Sequence, residues 1–254
     1  MNSIKFLGTA GARFVMIEQI RASGGIWLTL DGTKVLIDPG PGSLVRCLTS
    51  KPRLNPKEID GIILTHRHLD HSNDVNIMIE AMTDGGTKKR GVVFAPHDAL
   101  ESDPVILRYV RGYLQSIEIL EEKKNYRLGT IQFSTPVKHI HGSETYGLNI
   151  KGGGHFISLI SDTRYFKELP SYYPGEILII NVVRLENKPG IDHLCVSDVE
   201  EILKINHPRI CILTHFGMSM IKAKPWKIAE RLTDKTKIKV ISAQDGMNIN
   251  LDEV

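Results

Sequence analysis

The sequence predicts an α/β fold in which short buried strands alternate with helices. Two observations carry this prediction: apolar runs of strand length recur between glycine-containing turns, and segments with helix-capping signals separate several of these runs. The composition agrees, since 41% of the 254 residues are hydrophobic and 24% are charged. These proportions are ordinary for globular proteins and exclude a disordered or fibrous chain.

The apolar runs predict strands along the whole chain. Each run is short, is mostly aliphatic, and is bounded by glycine, proline or polar residues. The predicted strands cover residues 4–7, 26–30, 35–37, 62–64, 92–95, 131–135, 147–150, 156–160, 177–182, 210–213 and 237–241.

Two helices have recognisable start signals. Ser-Asp-Pro at 102–104 combines a side-chain cap with a proline in the first turn, which predicts a helix over 105–119. Ser-Asp-Val-Glu at 197–200 has the form of a capping box and predicts a second helix. We expect Pro208 to end that helix, because proline cannot continue it.

The chain shows no internal repeat and no long linker rich in Pro, Gly and Ser, so we expect residues 1–254 to form one domain. It lacks the ~18 to 20 consecutive apolar residues of a membrane span, and its N-terminus enters a predicted strand without a cleavable apolar segment. We therefore expect a cytoplasmic protein with no membrane association.

Cys47, Cys195 and Cys211 match no metal or redox spacing and are predicted to be reduced packing residues.

The charge balance bears on the class of partner. A net charge of +3 with mostly dispersed basic residues permits an anionic substrate but does not require nucleic acid. The sequence leaves open whether the chain forms a homo-oligomer.

The most informative segment is the predicted strand 62–64, which runs into His66, His68, Asp70 and His71. In an extended backbone, residues two apart point the same way, so His66 and His68 can face one metal ion. Asp70 and His71 can face a neighbouring ion as the chain turns towards a helix. Imidazole and carboxylate ligands suit zinc, and also manganese or iron.

Three further candidates follow later strands. His141 comes after 131–135, Asp162 ends the run 156–160, and His215 ends the run 210–213. Taken singly, each of these residues could equally cap a turn. Their shared position at strand ends makes them candidates to complete a site for two metal ions.

Together these features resemble the metallo-β-lactamase superfamily, and the resemblance covers nearly the whole chain. The residues that carry it are Phe-Leu-Gly-Thr-Ala-Gly at 6–11, Leu-Ile-Asp-Pro-Gly-Pro-Gly at 36–42, the histidine motif at 66–71, His141, Asp162, His215, and Ala-Gln-Asp-Gly at 243–246.

The resemblance implies a four-layer αββα sandwich with two divalent metal ions, zinc first among the candidates, at one edge. It also implies a ligand set, in which His141 is chosen over His139 because of its family-like spacing to Gly147. One ion would be bound by His66, His68 and His141, the second by Asp70, His71 and His215, and both by a bridging Asp162. Asp38 and Asp245 are expected to accept hydrogen bonds from metal-bound imidazoles.

A further histidine points to one branch of that superfamily. His193 lies in Asp-His-Leu-Cys-Val-Ser at 192–197, which resembles a segment of the phosphodiesterase branch, with Cys195 in place of the usual hydroxyl residue. In that branch the histidine contacts the scissile phosphate and can protonate the leaving alkoxide. Asp70 and His193 are therefore the predicted catalytic residues, although His193 could instead be a turn residue ahead of the helix.

The function implied is hydrolysis of a small anionic phosphodiester, cyclic or nucleotide-like, by a hydroxide bridging two metal ions. A ribonuclease Z role, and with it nucleic acid as a partner, is not favoured because no long Gly/Pro-rich insertion is present. Two alternatives stay open: a thioester or lactone hydrolase with the same metals, and a non-hydrolytic di-iron or regulatory metal-binding module. His97, His155 and His207 are predicted to face solvent or to cap helices.

Overall fold

Residues 2–253, which the computed structural model describes, form two seven-stranded β-sheets. The first sheet has the order β14 (Asn248–Asn250), β1 (Ser3–Phe6), β2 (Ile26–Leu30), β3 (Thr33–Ile37), β4 (Gly61–Ile63), β5 (Val92–Ala95) and β6 (Ser116–Ile119). The second has the order β13 (Lys239–Ser242), β12 (Ile210–Thr214), β11 (Ile177–Asn181), β10 (His155–Ile160), β9 (Leu148–Gly152), β8 (Ile131–Thr135) and β7 (Lys124–Leu128).

Helices connect the strands and cover the sheets. They are α1 (Ala12–Ile17), α2 (Ser43–Thr49), α3 (Leu69–Ser72), α4 (Val75–Met82), α5 (Arg108–Arg111), α6 (Val196–Asn206), α7 (Met218–Lys222) and α8 (Pro225–Thr236). No helix within residues 2–253 is both long enough and apolar enough to cross a membrane.

Strand β11 shows how the layers arise. Ile177 and Ile179 belong to the apolar cluster between the two sheets, whereas Leu178 and Ile180 belong to the cluster beneath α6 and α8. Because side chains alternate across a strand, a continuous apolar run is buried on both faces. A third cluster packs the outer face of the first sheet against α4. The predicted α/β fold with four αββα layers is therefore confirmed.

The strand directions place several loops at one edge of the molecule. Strands β3 to β6 are parallel in the first sheet, and strands β10 to β13 are parallel in the second. The carboxyl ends of parallel neighbours meet at the same sheet edge. The segments after β4, β10, β11 and β12 begin there, and they carry most of the candidate site residues.

The helix predicted over 105–119 is wrong. Only the single turn α5 forms, and residues 116–119 instead make β6, which pairs in parallel with β5. In β6 the exposed Glu118 lies between the half-buried Ile117 and Ile119, which is the alternation of a strand. Pairing of this strand with β5 outweighs the capping signal at 102–104.

The second helix prediction needs a smaller correction. Helix α6 begins at Val196, and its cap is Cys195 rather than a residue of the 197–200 segment. The Cys195 backbone N–H donates to Asp198 Oδ2 at 2.9 Å, so Asp198 acts at the third helical position. The helix ends at Asn206, before Pro208, as predicted. All three cysteines are buried and free in the described chain, also as predicted.

Candidate metal centre

The segment after β4 turns sharply towards the second sheet. His66 lies three residues after the end of β4 and is completely buried, while His68 occupies the cap position of α3. The His71 N–H donates to the His68 carbonyl at 2.9 Å, which closes the first turn of α3. Asp70 and His71 thus leave the strand on a helix, as the spacing of the motif predicts.

Asp162, which follows β10, lies at the middle of the candidate site. Its Oδ2 atom is 3.6 Å from His71 Nε2 and 4.0 Å from both His66 Nε2 and His141 Nε2. Its Oδ1 atom is 3.3 Å from His215 Nδ1. Four imidazoles from three segments of the chain therefore converge on one buried carboxylate.

The potential ligand atoms of these side chains form four overlapping groups, and in each group they lie within 4.8 Å of one another. Two groups are His66, His68, His141 and Asp70, His71, His215; the others are His66, His71, Asp162 and His141, Asp162, His193. The first two groups have the same members as the sets that the family resemblance implies for two ions, and Asp162 belongs to the other two.

Three of the imidazoles are held so that one nitrogen faces this centre. Nδ1 of His71 donates to Asp38 Oδ2 at 2.9 Å, and Nδ1 of His141 donates to the Asp192 carbonyl at 2.9 Å. His66 Nδ1 lies 3.1 Å from Thr65 Oγ1. With Nδ1 used in this way, Nε2 is the nitrogen that faces the centre: it has no hydrogen-bond partner in His66 and His71, and in His141 it lies 3.1 Å from His68 Nδ1.

Ring nitrogens that face the centre without a hydrogen-bond partner indicate whether metal ions fit there. Among the described residues, buried ring nitrogens without a hydrogen-bond partner occur on His66, His71, His193 and, for both its nitrogens, His215. An unsatisfied buried polar group costs about 1–3 kcal/mol, so a cluster of them indicates a missing partner. Divalent cations satisfy imidazole nitrogens and carboxylates together, and this donor set suits zinc, manganese or iron.

Burial and neighbouring charges act differently on the individual side chains of the centre. Burial lowers the pKa of His66 well below its usual value, so this imidazole is neutral. Burial opposes ionisation of Asp162, but His215 and His193 hold the pKa of this carboxyl well below its usual range. Burial likewise disfavours a charged His71, yet Asp38 and Asp70 raise its pKa well above the usual value. A metal ion binding at His71 therefore displaces a proton.

Asp38 has the supporting position expected of it. Besides accepting from His71, it accepts from the Thr65 backbone N–H and from Thr65 Oγ1, both at 2.7 Å. Asp38 has a φ of 53° and His215 a φ of 60°, a region that residues with a side chain seldom occupy. Such backbone strain concentrates at functional sites, where the surroundings hold it in place.

Asp245 does not contact any of the imidazoles, which contradicts the expectation for this residue. It accepts from the backbone N–H and the hydroxyl of Thr9 at 2.9 and 2.7 Å, and from the Ala22 N–H at 2.7 Å. Arg46 also lies 3.3 Å from this carboxylate. Asp245 therefore ties together the two ends of the β1–β2 connection beside the centre.

The structure adds a residue that the sequence analysis missed. Asn181, the last residue of β11, is buried, and its Nδ2 donates to Asp162 Oδ1 at 2.9 Å. This bond orients the central carboxylate. The available signal was a polar residue directly after four buried aliphatic ones, the same pattern that singled out Asp162.

Two glycines allow the backbone to approach the centre closely. A Cβ atom on Gly11 would lie 2.5 Å from His215 Nδ1, and one on Gly40 would lie 2.1 Å from the Asp70 carbonyl oxygen. Both distances are shorter than any tolerable contact, so no side chain fits at either position.

His193 lies beside the centre, in the loop before α6. Its Nδ1 atom is buried and 3.5 Å from Asp162 Oδ2, and its ring centroid is 5.0 Å from that of His141. Its potential ligand atom also lies within 4.8 Å of those of His141 and Asp162. His193 therefore lies close enough to the candidate ligands either to act beside a bound metal ion or to coordinate one directly.

Three other histidines lie outside the centre. His97 and His207 are exposed, and His207 is the C-terminal cap of α6. His155 lies 3.4 Å from Asp252 at the far end of β10. The expectation that these residues face solvent or cap helices is met by His97 and His207, while His155 is half-buried in an ion-pair network.

His139 and His141 have different surroundings although they are two residues apart. His139 is buried, its Nδ1 donates to the Asp162 carbonyl at 3.2 Å, and its Nε2 accepts from the Tyr173 hydroxyl at 2.6 Å. Burial lowers the pKa of His139 to about 4, so the ring is neutral. Both ring nitrogens are used within the protein, and neither is left for a metal ion.

We therefore predict that His139→Ala keeps a metal content near that of the wild type, whereas His141→Ala lowers it. His139→Ala should reduce the free energy of unfolding by about 2–4 kcal/mol, because it leaves two buried groups without partners. Elemental analysis of the two purified variants, together with thermal unfolding, checks both statements. The opposite metal contents would exchange the two residues in the ligand assignment.

Two face-to-face sheets between helical layers, with converging histidines and aspartates at one edge, define an αββα protein with a candidate metal centre. Residues 33–216 match the beta-lactamase superfamily domain. The chain belongs to the beta-lactamase superfamily. This confirms the resemblance drawn from the sequence motifs.

Two individual proteins are also similar to this chain in sequence. An uncharacterized protein of Methanocaldococcus jannaschii is 30% identical over 259 residues, covering 98% of this chain and 94% of the relative. A ribonuclease Z of Kineococcus radiotolerans is 35% identical over 95 residues, covering 37% of this chain and 29% of that enzyme. The family match and the ribonuclease Z similarity support a metal-dependent hydrolase near the phosphodiesterase branch.

Solved structures show the same fold. The metallo-beta-lactamase fold protein YhfI from Bacillus subtilis superimposes with a TM-score of 0.79 at 16% identity, covering 98% of each chain. A diphosphatase from the PhnP family superimposes with a TM-score of 0.72 at 19% identity, covering 99% of this chain and 98% of the other.

Proposed function

We propose that the chain is a dinuclear metal-dependent phosphodiesterase that hydrolyses a small anionic phosphodiester. The observation that carries the proposal is the convergence of four imidazoles on the two oxygens of Asp162, with His193 beside them. A ligand set of this kind suits two ions that share a bridging carboxylate.

In this proposal each ion has its own protein ligands, and zinc is the first candidate because imidazole predominates. His66, His68 and His141 would hold one ion, Asp70, His71 and His215 would hold the other, and Asp162 would serve both. Bound divalent ions supply a nucleophile at neutral pH and neutralise charge that develops on the phosphoryl oxygens.

The chain's own residues perform the remaining tasks. Asn181 and Asp38 hold Asp162 and His71 in place through bonds of 2.9 Å each. His193 donates a proton to the leaving alkoxide, a step that a positioned imidazole can accelerate. Burial lowers the pKa of His193, and Asp162, 3.5 Å away, opposes that shift by favouring the charged imidazole from which the proton comes.

A small substrate is favoured over a structured nucleic acid. The ribonuclease Z of Kineococcus radiotolerans matches this chain over 29% of its own length, so the similarity does not extend to that enzyme as a whole. The open cleft beside the candidate centre has a volume of ≈ 620 Å³, within the range usual for small-molecule sites.

The proposed function is tested by assaying metal-loaded protein in parallel with bis-p-nitrophenyl phosphate, a lactone and a thioester. We expect turnover of the phosphodiester, loss of that turnover after chelation, and its return when metal is added back. Turnover of the thioester or lactone without the phosphodiester would instead make the chain a carbonyl-ester hydrolase. Bound metal with no turnover of any substrate would support a regulatory module.

A further inference from the structure

The cleft beside the candidate centre has two chemically different walls. One wall consists of centre residues, namely His68, Asp70, Asp162 and His193. The other wall is apolar and is contributed by α1, the start of α3 and the loop after β11. We call it the apolar wall, and it consists of Phe14, Ile17, Leu69, Val183 and Ile191.

The apolar wall exposes large side chains to solvent. Phe14 is 69% exposed, Ile17 is 70% exposed and Leu69 is 60% exposed. In the six-residue helix α1, only Val15 is buried. Each exposed apolar group forgoes about 25 cal/mol per Å² that burial would contribute. Adjacent exposed apolar side chains around a cleft are typical of a ligand-binding surface.

Two arginines border the same cleft. Within residues 2–253, neither Arg13 nor Arg184 forms an ion pair with a carboxylate, and Arg184 Nε only approaches the Glu186 carbonyl at 3.4 Å. A guanidinium without a carboxylate partner beside a cleft is suited to bind a phosphate. The cleft therefore combines apolar contact area with positive charge.

The apolar wall is tied to the centre by the backbone. Gly11, which precedes α1, donates to the Phe216 carbonyl at 3.0 Å, and Phe216 donates to the Thr9 carbonyl at 2.8 Å. Phe216 directly follows the candidate ligand His215. A group seated on α1 is consequently held at a fixed place relative to the candidate ligands.

Building on the proposed function, we infer that the cleft selects phosphodiesters that carry an aryl or similarly bulky apolar ester arm. That arm packs on the apolar wall, while Arg13 and Arg184 attract the anionic phosphate towards the centre. Phe14 and Ile17 thereby determine specificity without taking part in bond cleavage.

The inference is tested by binding, independently of turnover. Diphenyl phosphate and dimethyl phosphate carry the same charge but differ in their ester arms, and their affinities for metal-loaded protein can be measured by titration calorimetry. We expect diphenyl phosphate to bind about tenfold more tightly or better, because only its rings can bury apolar surface. Phe14→Ser and Ile17→Ser should lower this ratio severalfold, whereas dimethyl phosphate should bind them as it binds the wild type.

Ile205→Ser is the matched control, since Ile205 is 54% exposed on α6 and does not line the cleft. Ile205→Ser should leave the ratio of the two affinities unchanged.

Equal binding of diphenyl phosphate and dimethyl phosphate to the wild type, or an unchanged affinity ratio in both α1 variants, would overturn the inference. It would also be overturned if those substitutions only dissociated a dimer in sedimentation experiments, because the apolar wall would then join two copies of the chain. A binding preference without hydrolysis of bis-p-nitrophenyl phosphate would contradict the proposed function and leave the inference standing.

Discussion

Replacing Asp162 by alanine is expected to empty both metal positions and to abolish hydrolysis. Both oxygens of this buried carboxylate face the site, with imidazole nitrogens of the two ligand groups at 3.3 to 4.0 Å. Removing it leaves those nitrogens without their shared anionic partner. Loss of the several kcal/mol that metal ions supply corresponds to a rate loss of at least about 10³-fold. Elemental analysis and phosphodiester turnover of the purified variant measure both effects.

Two further variants serve as comparisons for Asp162→Ala. His215→Ala should chiefly empty the second position, because His215 is grouped only with Asp70 and His71. Asp245→Ala is the control for removing a carboxylate: it disrupts bonds to Thr9 and Ala22 but touches no imidazole, so metal should be retained. If Asp162→Ala and His215→Ala each lost the same single ion, the bridging role of Asp162 would be wrong.

Replacing His193 by alanine is expected to slow hydrolysis while both ions stay bound. A positioned general acid typically contributes about 10²- to 10⁴-fold in rate. The loss should approach that range for an alkyl phosphodiester, whose leaving alkoxide needs a proton. It should shrink for an aryl phosphodiester, whose leaving group needs little protonation. Rates on the two substrates, together with the metal content, form the measurement.

The position of His193 makes the metal content of His193→Ala the measurement that decides whether this residue is a ligand. His193 Nδ1 lies 3.5 Å from Asp162 Oδ2, so the residue is near enough to be a ligand itself. Loss of an ion from His193→Ala would show coordination and revise the ligand set. Wild-type rates on both substrates would reduce His193 to a turn residue. His97→Ala, at an exposed histidine outside the centre, controls for loss of an imidazole.

Much of the fold could be predicted because buried strands appear in the sequence as runs of apolar residues. Apolar runs such as 177–182 correspond to central strands covered on both faces, and their ends mark the edge where the candidate site lies. The spacing within the histidine motif separated His66 and His68 from Asp70 and His71. That separation depends only on where the strand stops and α3 begins, which is a local property.

Edge strands were harder to predict. Strand β7 carries Tyr126 and Leu128 on its buried side, but charged and polar residues lie between them, and no long apolar run marks it. Strand β6 was mistaken for the end of a helix, since its character comes from pairing with β5 rather than from local propensity. Such strands depend on a partner that is distant in the sequence.

The supporting contacts of the candidate site depend on tertiary structure in the same way. Asp38 reaches His71 as expected, but Asp245 forms a different set of bonds, although both aspartates lie in family-like motifs. Asn181 meets Asp162 only because β10 and β11 are parallel neighbours. Hydrogen-bond partners of this kind are specified by strand order, which residue spacing alone does not reveal.

The most direct test of the account is the number of metal ions bound by the purified wild-type chain, measured by elemental analysis before and after chelation. Two ligand groups sharing Asp162 predict about two divalent ions per chain, both removed by the chelator together with phosphodiester turnover. A chain that binds one ion or none when metal is supplied in excess, or that keeps its turnover after the ions are removed, would contradict the dinuclear assignment.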